Sequence, residues 1–331
     1  MQDLRPIIRF LRQGNWATEA EITAITGWVE EDVVHMFTIL RKRGLRVNHD
    51  AVRGYRLIDP ISLVDIDELF KLLTIAEIGS ANRISVLDEV DSTNNRLMEW
   101  NKIDSLHGRI CIAEYQTNGR GRYGRSWISS GYKNLTFSIA WHITRTTNDF
   151  SSISLVVGLV ICWFLEELVG EGQVKLKWPN DIICSFGKLA GVLVETRTVP
   201  ERQNFAVIGI GLNVSVTESD AIGHKNSHYK IAGLSQLLNR VLDRTELIAR
   251  LIVRLNKALD NFNAYGFSGF RDEWNKRDLY YNHQVISNIG ENNICGKGFG
   301  VDSVGAYRVR DADGYLHKLV SGEMMSLRES G

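Results

Sequence analysis

Four cysteines in 331 residues, Cys111, Cys162, Cys184 and Cys295, are too few and too scattered for a disulfide framework. None belongs to a C-x-x-C pair. Their apolar or strand-like contexts predict buried free thiols, which suit a reducing cytosol, rather than a metal site. Net charge is missing as well: Lys+Arg and Asp+Glu are 39 each. That argues against a chain that coats nucleic acid, while leaving room for one basic face. The longest apolar run, Ile153–Leu165, stops at Glu166-Glu167, short of the roughly 20 residues a membrane span requires, and predicts a buried helix. The N-terminus (MQDLRPIIRF) lacks the apolar core of a signal peptide. Internal repeats and low-complexity segments are absent too. The expectation is a cytoplasmic chain of two or three domains with no membrane partner.

What is there is a loop, Gly119-Arg120-Gly121-Arg122-Tyr123-Gly124-Arg125. Glycine admits turns and close approach of a ligand to backbone amides. Arginine presents a planar fork of donors that matches phosphate or carboxylate oxygens. The loop therefore reads as an anion holder. It also fits G-x-G-x-x-G, the dinucleotide fingerprint, which requires a strand before it and a helix after it. Arg109–Tyr115 reads as the strand, but Trp127–Lys133 reads as a turn and Asn134–Trp141 as another strand. The dinucleotide reading fails for want of a helix N-terminus.

Residues 1–60 predict a helical unit. Leu4–Leu11 is apolar at helical spacing. Thr18-x-x-Glu21 is a capping box for a second helix, with Ile22 and Ile25 facing inward and Gly27 ending it. A third helix spans about Val29–Arg43, with Val33, Val34, Phe37 and Leu40 on one face. Leu45–Val47 and Gly54–Ile58 pair around Asn48–Arg53, so the pattern is a winged helix-turn-helix. Asp59-Pro60 separates this unit from the rest, and Ile66–Ile75 is a linking helix. Residues 80–272 mix strands (Ile84–Val90, Val174–Trp178, Lys188–Thr196, Phe205–Val214) with helices (Ser152–Val169, Arg244–Tyr265), which predicts an α/β (α+β) core with a mixed sheet backed by helices. Leu247, Leu251, Leu255, Leu259 and Phe262 form the core stripe of the last helix. Residues 278–331 are strand-rich with glycine punctuation and predict a small β-barrel.

Further segments set polar groups in apolar surroundings: Asp91-Ser92-Thr93-Asn94-Asn95, Glu114-Tyr115-Gln116, Lys177–Asp181 with Lys188–Gly191, and Gly209–Asn213. Singly, each has an ordinary structural explanation. Ser92 or Thr93 serves as a helix N-cap, Asn180-Asp181 as a turn, Lys188 as a solvated strand end and Asn213 as turn punctuation. The arginine loop has no such explanation, and with it the economical account brings all these segments to one cleft.

GRGRYGR, KWPNDI followed by GKLAGVLVE, DSTN and GIGLN, in this order and spacing, resemble the biotin protein ligases. With the N-terminal unit, nearly the whole chain resembles the bacterial type that doubles as repressor of the biotin operon. The resemblance implies an SH3-like barrel at the C-terminus and a two-step reaction. Biotin attacks the α-phosphate of ATP to give biotinyl-AMP and pyrophosphate. A lysine of the biotin carboxyl carrier protein of acetyl-CoA carboxylase then attacks the acyl carbon and AMP leaves. By the same resemblance Arg120, Gly121, Arg122 and Arg125 meet phosphate, with Mg²⁺ bridging the phosphates. Lys188 lies against the biotin carboxylate, and Ser92, Thr93, Asn94 and Gln116 line the biotin pocket. Asp181 binds Mg²⁺ or orients the acceptor lysine, while Asn213 and Ser215–Tyr229 close over the adenylate. No residue is assigned as a metal ligand beyond that. Related lipoate ligases share the fold, and a ligand-sensing repressor without ligase activity is the competing class, although a sensor needs no arginine loop.

The resemblance also implies operator DNA binding through residues 18–43 and a homodimer when the adenylate is bound, with strands Lys188–Thr196 and Phe205–Val214 offering edges. Two features qualify this. Glu30, Glu31 and Asp32 occupy the start of the recognition helix, where phosphates approach, and residues 1–62 hold nine basic and eight acidic side chains. Arg41, Lys42, Arg43 and Arg46 make up one basic patch.

Overall fold

Three helices open the chain, α1 (Arg5–Leu11), α2 (Glu19–Thr26) and α3 (Glu30–Lys42). The computed structural model describes all residues except 1–3, 13, 77–82, 101–105, 129, 146–149, 199–203, 217–229, 290–291 and 327–331. The expected capping box forms: the Thr18 hydroxyl accepts from Glu21 N, the Glu21 carboxylate accepts from Thr18 N, and Gly27 closes α2 at φ 72°. Two inward assignments fail. Ile25 is 43% and Val34 50% exposed. On α3 the buried set is Val33, Met36, Phe37 and Leu40, a stripe that runs through Met36 and leaves Val34 one position round the helix.

Strands β1 (Val47–Asp50) and β2 (Gly54–Leu57) pair antiparallel in the register Val47↔Leu57, so Asn48–Asp50 belong to the hairpin ladder rather than to its loop. Asp59-Pro60 does not set this unit apart. Asp59 is buried, paired with Arg46 at 2.8 Å and with Lys133 at 3.0 Å. Ile61, Leu63 and Tyr132 complete the apolar core of the three helices.

After α4 (Ile66–Ile75), capped by Asp65, comes a seven-stranded sheet. Its strands are β3 (Ile84–Val90), β4 (Arg109–Gln116), β5 (Leu135–Ile143), β6 (Val174–Lys177), β7 (Asp181–Cys184), β8 (Gly187–Thr198) and β9 (Asn204–Leu212). The order is β3-β4-β5-β9-β8-β7-β6, with β3 and β4 parallel and the remaining neighbours antiparallel. The mixed sheet is as expected; β7 was hidden inside an apparent turn. Helix α5 (Thr93–Met98) covers one face with a small apolar cluster around Leu97, Cys111 and Phe205. The larger core on the other face holds α6 (Phe150–Val169), α7 (Leu234–Leu238) and α8 (Arg244–Tyr265), and the whole predicted stripe of α8 is buried. At 20 residues α6 is long and apolar enough to cross a bilayer, but 67% of its apolar window is buried inside this core, so it serves here as a core helix.

The expected free edges are only half present. β9 lies between β5 and β8 along its whole length. β8 pairs with β7 only through Gly187–Gly191, so its far half, residues 193–198, has no strand on that side among the described residues.

The chain ends, after α9 (Arg271–Lys276), in a five-stranded antiparallel sheet of β10 (Gln284–Ile289), β11 (Asn292–Val301), β12 (Tyr307–Arg310), β13 (Leu316–Leu319) and β14 (Glu323–Ser326), in the order β13-β12-β11-β10-β14. It docks on the core through Trp178, whose indole N–H donates to Gly305 O at 3.2 Å. Three thiols are buried as expected, whereas Cys295 is exposed. Burial pushes Cys111 up to about 11 and Cys162 up to about 12, which keeps both protonated and unreactive.

Candidate active site

The predicted polar segments do meet, along one end of β4, β5, β8 and β9. Ser92 precedes α5 with extended backbone, and its side chain makes no capping hydrogen bond, so the N-cap explanation does not hold for it. Gln116 Oε1 accepts from Thr93 N at 2.8 Å and from Thr93 Oγ1 at 3.1 Å. The Ser138 hydroxyl on β5 lies 2.6 Å from both Thr93 Oγ1 and Asn94 Oδ1. Asn94 Nδ2 donates to Glu195 Oε2 at 2.7 Å. Gly209 admits this arrangement, because an added Cβ would fall 2.5 Å from Asn94 Oδ1.

The arginine loop is a tight turn rather than the start of an α-helix, as its sequence implied. Arg122–Gly124 forms a single 3₁₀ turn, with Tyr123 at φ 56° and Gly124 at φ 71°, the left-handed region that glycine enters most easily. Gly121 N donates to Arg125 O at 2.6 Å and Trp127 N to Gly119 O at 2.9 Å. The three arginines are not equivalent. Arg120 turns inward: its Nη2 lies 2.9 Å from Glu195 Oε2 and 2.5 Å from Asn95 Oδ1. Arg122 lies at the rim, donating to the Tyr123 hydroxyl at 3.0 Å, and Arg125 is exposed.

Lys188 supplies the second corner. Its Nζ is 2.7 Å from Asp181 Oδ1 and 5.3 Å from the centroid of the Trp127 ring. Asn213, which is buried, donates its amide to Lys188 O at 3.2 Å, and its backbone N–H bonds Leu189 O. Asn180 likewise donates to Val192 O at 2.8 Å. The two asparagines thus brace β8, and their turn-residue reading gives way to a positioning one. Of the stretch expected to close the site, Ser215–Tyr229, residues 217–229 lie outside the described residues.

Three members of the site escaped the sequence reading. Trp127 packs on the site floor, with its indole over Gly191 and Gly211 and its buried Nε1 without a hydrogen-bond partner among the described residues. Glu195 stands at the end of the GVLVE stretch, and its role is set by residues 75 and 101 positions away. Ser138 carried no signal. Glu114 departs in the other direction: it accepts from Val64 N at 2.9 Å and pairs with Arg244, a buried tie beneath the sheet. Among the described residues no three His, Cys, Asp or Glu side chains cluster as a metal site would require, and Asp181 is already neutralised by Lys188. The described residues therefore offer no ready-made carboxylate cage for Mg²⁺.

The model of the biotin/lipoate A/B protein ligase family matches residues 86–213, the span that runs from before Ser92 to Asn213. The bifunctional ligase/repressor BirA of Salmonella typhimurium is 33% identical over 98% of this chain and 97% of its own length. The biotin--[acetyl-CoA-carboxylase] ligase of Mycobacterium tuberculosis is 31% identical over 51% of this chain and 64% of its own length. Among solved structures, the biotin protein ligase from Aquifex aeolicus in complex with biotin and ATP is similar at a TM-score of 0.61 and 31% identity, covering 73% of this chain and 97% of that one.

Proposed function

This chain belongs to the biotin protein ligase family, and from that premise we infer the residues that perform the reaction. It is an ATP-dependent, AMP-forming enzyme that converts biotin to biotinyl-AMP and passes the biotinyl group to a lysine of a carrier protein. In the first step a biotin carboxylate oxygen bonds to the α-phosphorus of ATP and the bond to pyrophosphate breaks. In the second a lysine amine bonds to the acyl carbon, loses a proton, and AMP departs. The first step brings two anions together and the second builds negative charge on the acyl oxygen and the departing AMP, so the site's task is to neutralise developing negative charge.

The observation that carries this reading is Lys188 Nζ, held 2.7 Å from Asp181 on the glycine-floored end of β8 and β9, next to a loop of three arginines. Lys188 is positioned to neutralise the biotin carboxylate and later to polarise the acyl oxygen. Asp181 holds the ammonium in place and can orient the incoming amine. Ser92, Thr93, Asn94 and Gln116 offer hydroxyl and amide groups for the ureido ring, with Thr93 and Asn94 tied together through Ser138. Arg122 and the loop amides face phosphate. Arg120, committed to Glu195 and Asn95, holds the loop against α5. Mg²⁺ entering with ATP would be carried mainly by phosphate oxygens, which fits the lack of an acidic cluster among the described residues.

The acceptor is read as the biotin carboxyl carrier protein of acetyl-CoA carboxylase and the compartment as the cytoplasm. Residues 1–60 are read as a winged helix-turn-helix, supported by three helices and a hairpin, 80–272 as the catalytic domain, and 278–331 as an SH3-like barrel. An adenylate-dependent homodimer pairing through residues 193–198 of β8, and operator binding, complete the bifunctional reading. The test is ATP–pyrophosphate exchange with biotin, lipoate or octanoate. Biotin alone should drive it, followed by biotin on one lysine of a carrier domain. Exchange driven by lipoate alone would overturn the substrate assignment.

A further inference from the structure

Arg43 ends α3 of the helical unit, yet it is 2% exposed. Its Nη1 lies 3.0 Å from Asp88 Oδ2 and its Nη2 2.7 Å from Glu89 Oε2. It also donates to the Tyr132 hydroxyl, which in turn donates to Asp88 Oδ1 at 2.7 Å. The guanidinium stands 5.3 Å from the Tyr115 ring and 5.6 Å from the Tyr132 ring. Its own carbonyl accepts from Gly131 N at 2.8 Å. The next residue continues the contact: Lys133 Nζ donates to Gly44 O at 2.9 Å. Gly44, at φ +85°, lies so close that an added Cβ would fall 2.3 Å from Ser130 Oγ.

The residues touched are not random surface. Asp88 and Glu89 lie at the end of β3 that feeds Asp91–Asn94. Tyr115 precedes Gln116. Residues 130–133 join the arginine loop to β5. Three of the site's polar segments, Asp91–Asn95, Glu114–Gln116 and the arginine loop, are thus gripped from behind by one residue of the N-terminal unit. A buried arginine with two carboxylates is a poor way to gain stability, because desolvation offsets most of the attraction, but it fixes geometry tightly. Burial, with the Asp88 carboxylate adding, pushes the Tyr132 phenol up, so it stays a donor.

We propose that Arg43 is a positioning residue for the adenylation site, so that ligand occupancy and the seating of the N-terminal helices are coupled. The coupling is reciprocal by linkage: whatever Arg43 contributes to ligand affinity, bound ligand returns to the helical unit. This rests on the ligase reading above.

The experiment uses the full chain, with biotin and ATP as probes. Two readouts are taken, pyrophosphate exchange (KM against kcat) and amide hydrogen exchange across residues 30–43 with and without ligand. In the wild type, biotin plus ATP should slow exchange in the last turn of α3. Arg43→Met should raise KM for biotin about 5- to 50-fold, leave kcat within a few-fold, and abolish the slowing. Arg43→Lys should recover part of KM, and Arg12→Met, at an exposed position of the same helical unit, should behave as wild type. Asp88→Asn/Glu89→Gln, which keeps side-chain shape, serves where Arg43→Met does not fold, and should reproduce its phenotype. Wild-type KM and intact ligand-dependent slowing in the folded variants would overturn the proposal. So would loss of activity that simply follows the unfolded fraction. A wild type without biotin-driven exchange would instead bring down the ligase reading, and this proposal with it.

Discussion

Trp127 lies over Gly211 so closely that a Cβ on the glycine would fall 2.3 Å from the indole. Gly191, on the neighbouring strand, would place one 3.0 Å away. β9 is paired on both sides, so the backbone cannot yield and the indole must move instead. Gly211→Ala should therefore displace Trp127 from the floor and from the Lys188 ammonium. Overpacking of this kind costs roughly 1–3 kcal/mol, and the expected result is a KM for biotin raised roughly 5- to 100-fold. A biotin titration of pyrophosphate exchange measures it, and an unchanged KM would mean that Trp127 is no part of the biotin floor.

Arg120 and Arg122 should give different phenotypes. Arg122 contacts Tyr123 at the rim, so Arg122→Gly removes a phosphate donor and little structure. A charge-assisted hydrogen bond contributes on the order of 1.5–3 kcal/mol, which predicts adenylate release faster by roughly 10- to 100-fold. The variant should leak biotinyl-AMP and label lysines on bystander proteins. Arg120→Gly frees Glu195 and Asn95 and should slow adenylate formation rather than leak. Lys188→Ala should slow formation or transfer. Labelling by the Arg122 variant no higher than wild type would remove that arginine from the phosphate site.

Much of this architecture was legible in the sequence because its signals are local. The Thr18–Glu21 box, the α8 stripe, the span of α4 and the missing helix after the arginine loop all depend on residues within a few turns of each other. What escaped depends on distant partners. Arg43 and Arg46 read as half of a basic surface patch, since nothing nearby announces that Asp88, 45 residues on, buries the first, or that Asp59 pairs with the second. Periodicity assigned Ile25 and Val34 to a core that no neighbouring element supplies. KWPNDIIC looked like strand then turn, and the second strand became visible only through its pairing with β6 and β8. Glu195 had no signal until Asn94 and Arg120 met on it.

The C-terminal sheet should carry a pH dependence of its own. Asp278 is buried against Tyr307, whose hydroxyl donates to Oδ2 at 2.6 Å, and burial pushes its carboxyl up to about 6. A carboxyl with a raised folded-state value holds its proton more tightly when folded. Its contribution to stability is complete below about pH 4 and lost as pH rises through about 6. Urea unfolding of the full chain between pH 4 and 7 should show this slope, and Asp278→Asn should flatten it. A slope unchanged by the substitution would assign the titration to another group.

DNA binding is the function most affected by what the structure corrects. With Arg43 buried and Arg46 paired to Asp59, the basic patch of the helical unit shrinks to Arg41 and Lys42, while Glu30, Glu31 and Asp32 hold the first turn of α3. Three carboxylates there favour the helix dipole but oppose phosphate approach, and they subtract from the counterion release that supplies most non-specific affinity. The expected behaviour is weak DNA binding, with a shallow salt dependence that reflects few phosphate contacts. Glu30→Ser/Glu31→Arg should strengthen binding and steepen the salt slope, because one repulsive charge is removed and another is reversed. The measurement is a salt series of binding to DNA from the protein's own promoter, with and without biotinyl-AMP. Nanomolar, adenylate-dependent binding by the unsubstituted chain would show that the acidic turn is kept off the backbone, and that dimerisation on β8 supplies the affinity α3 lacks.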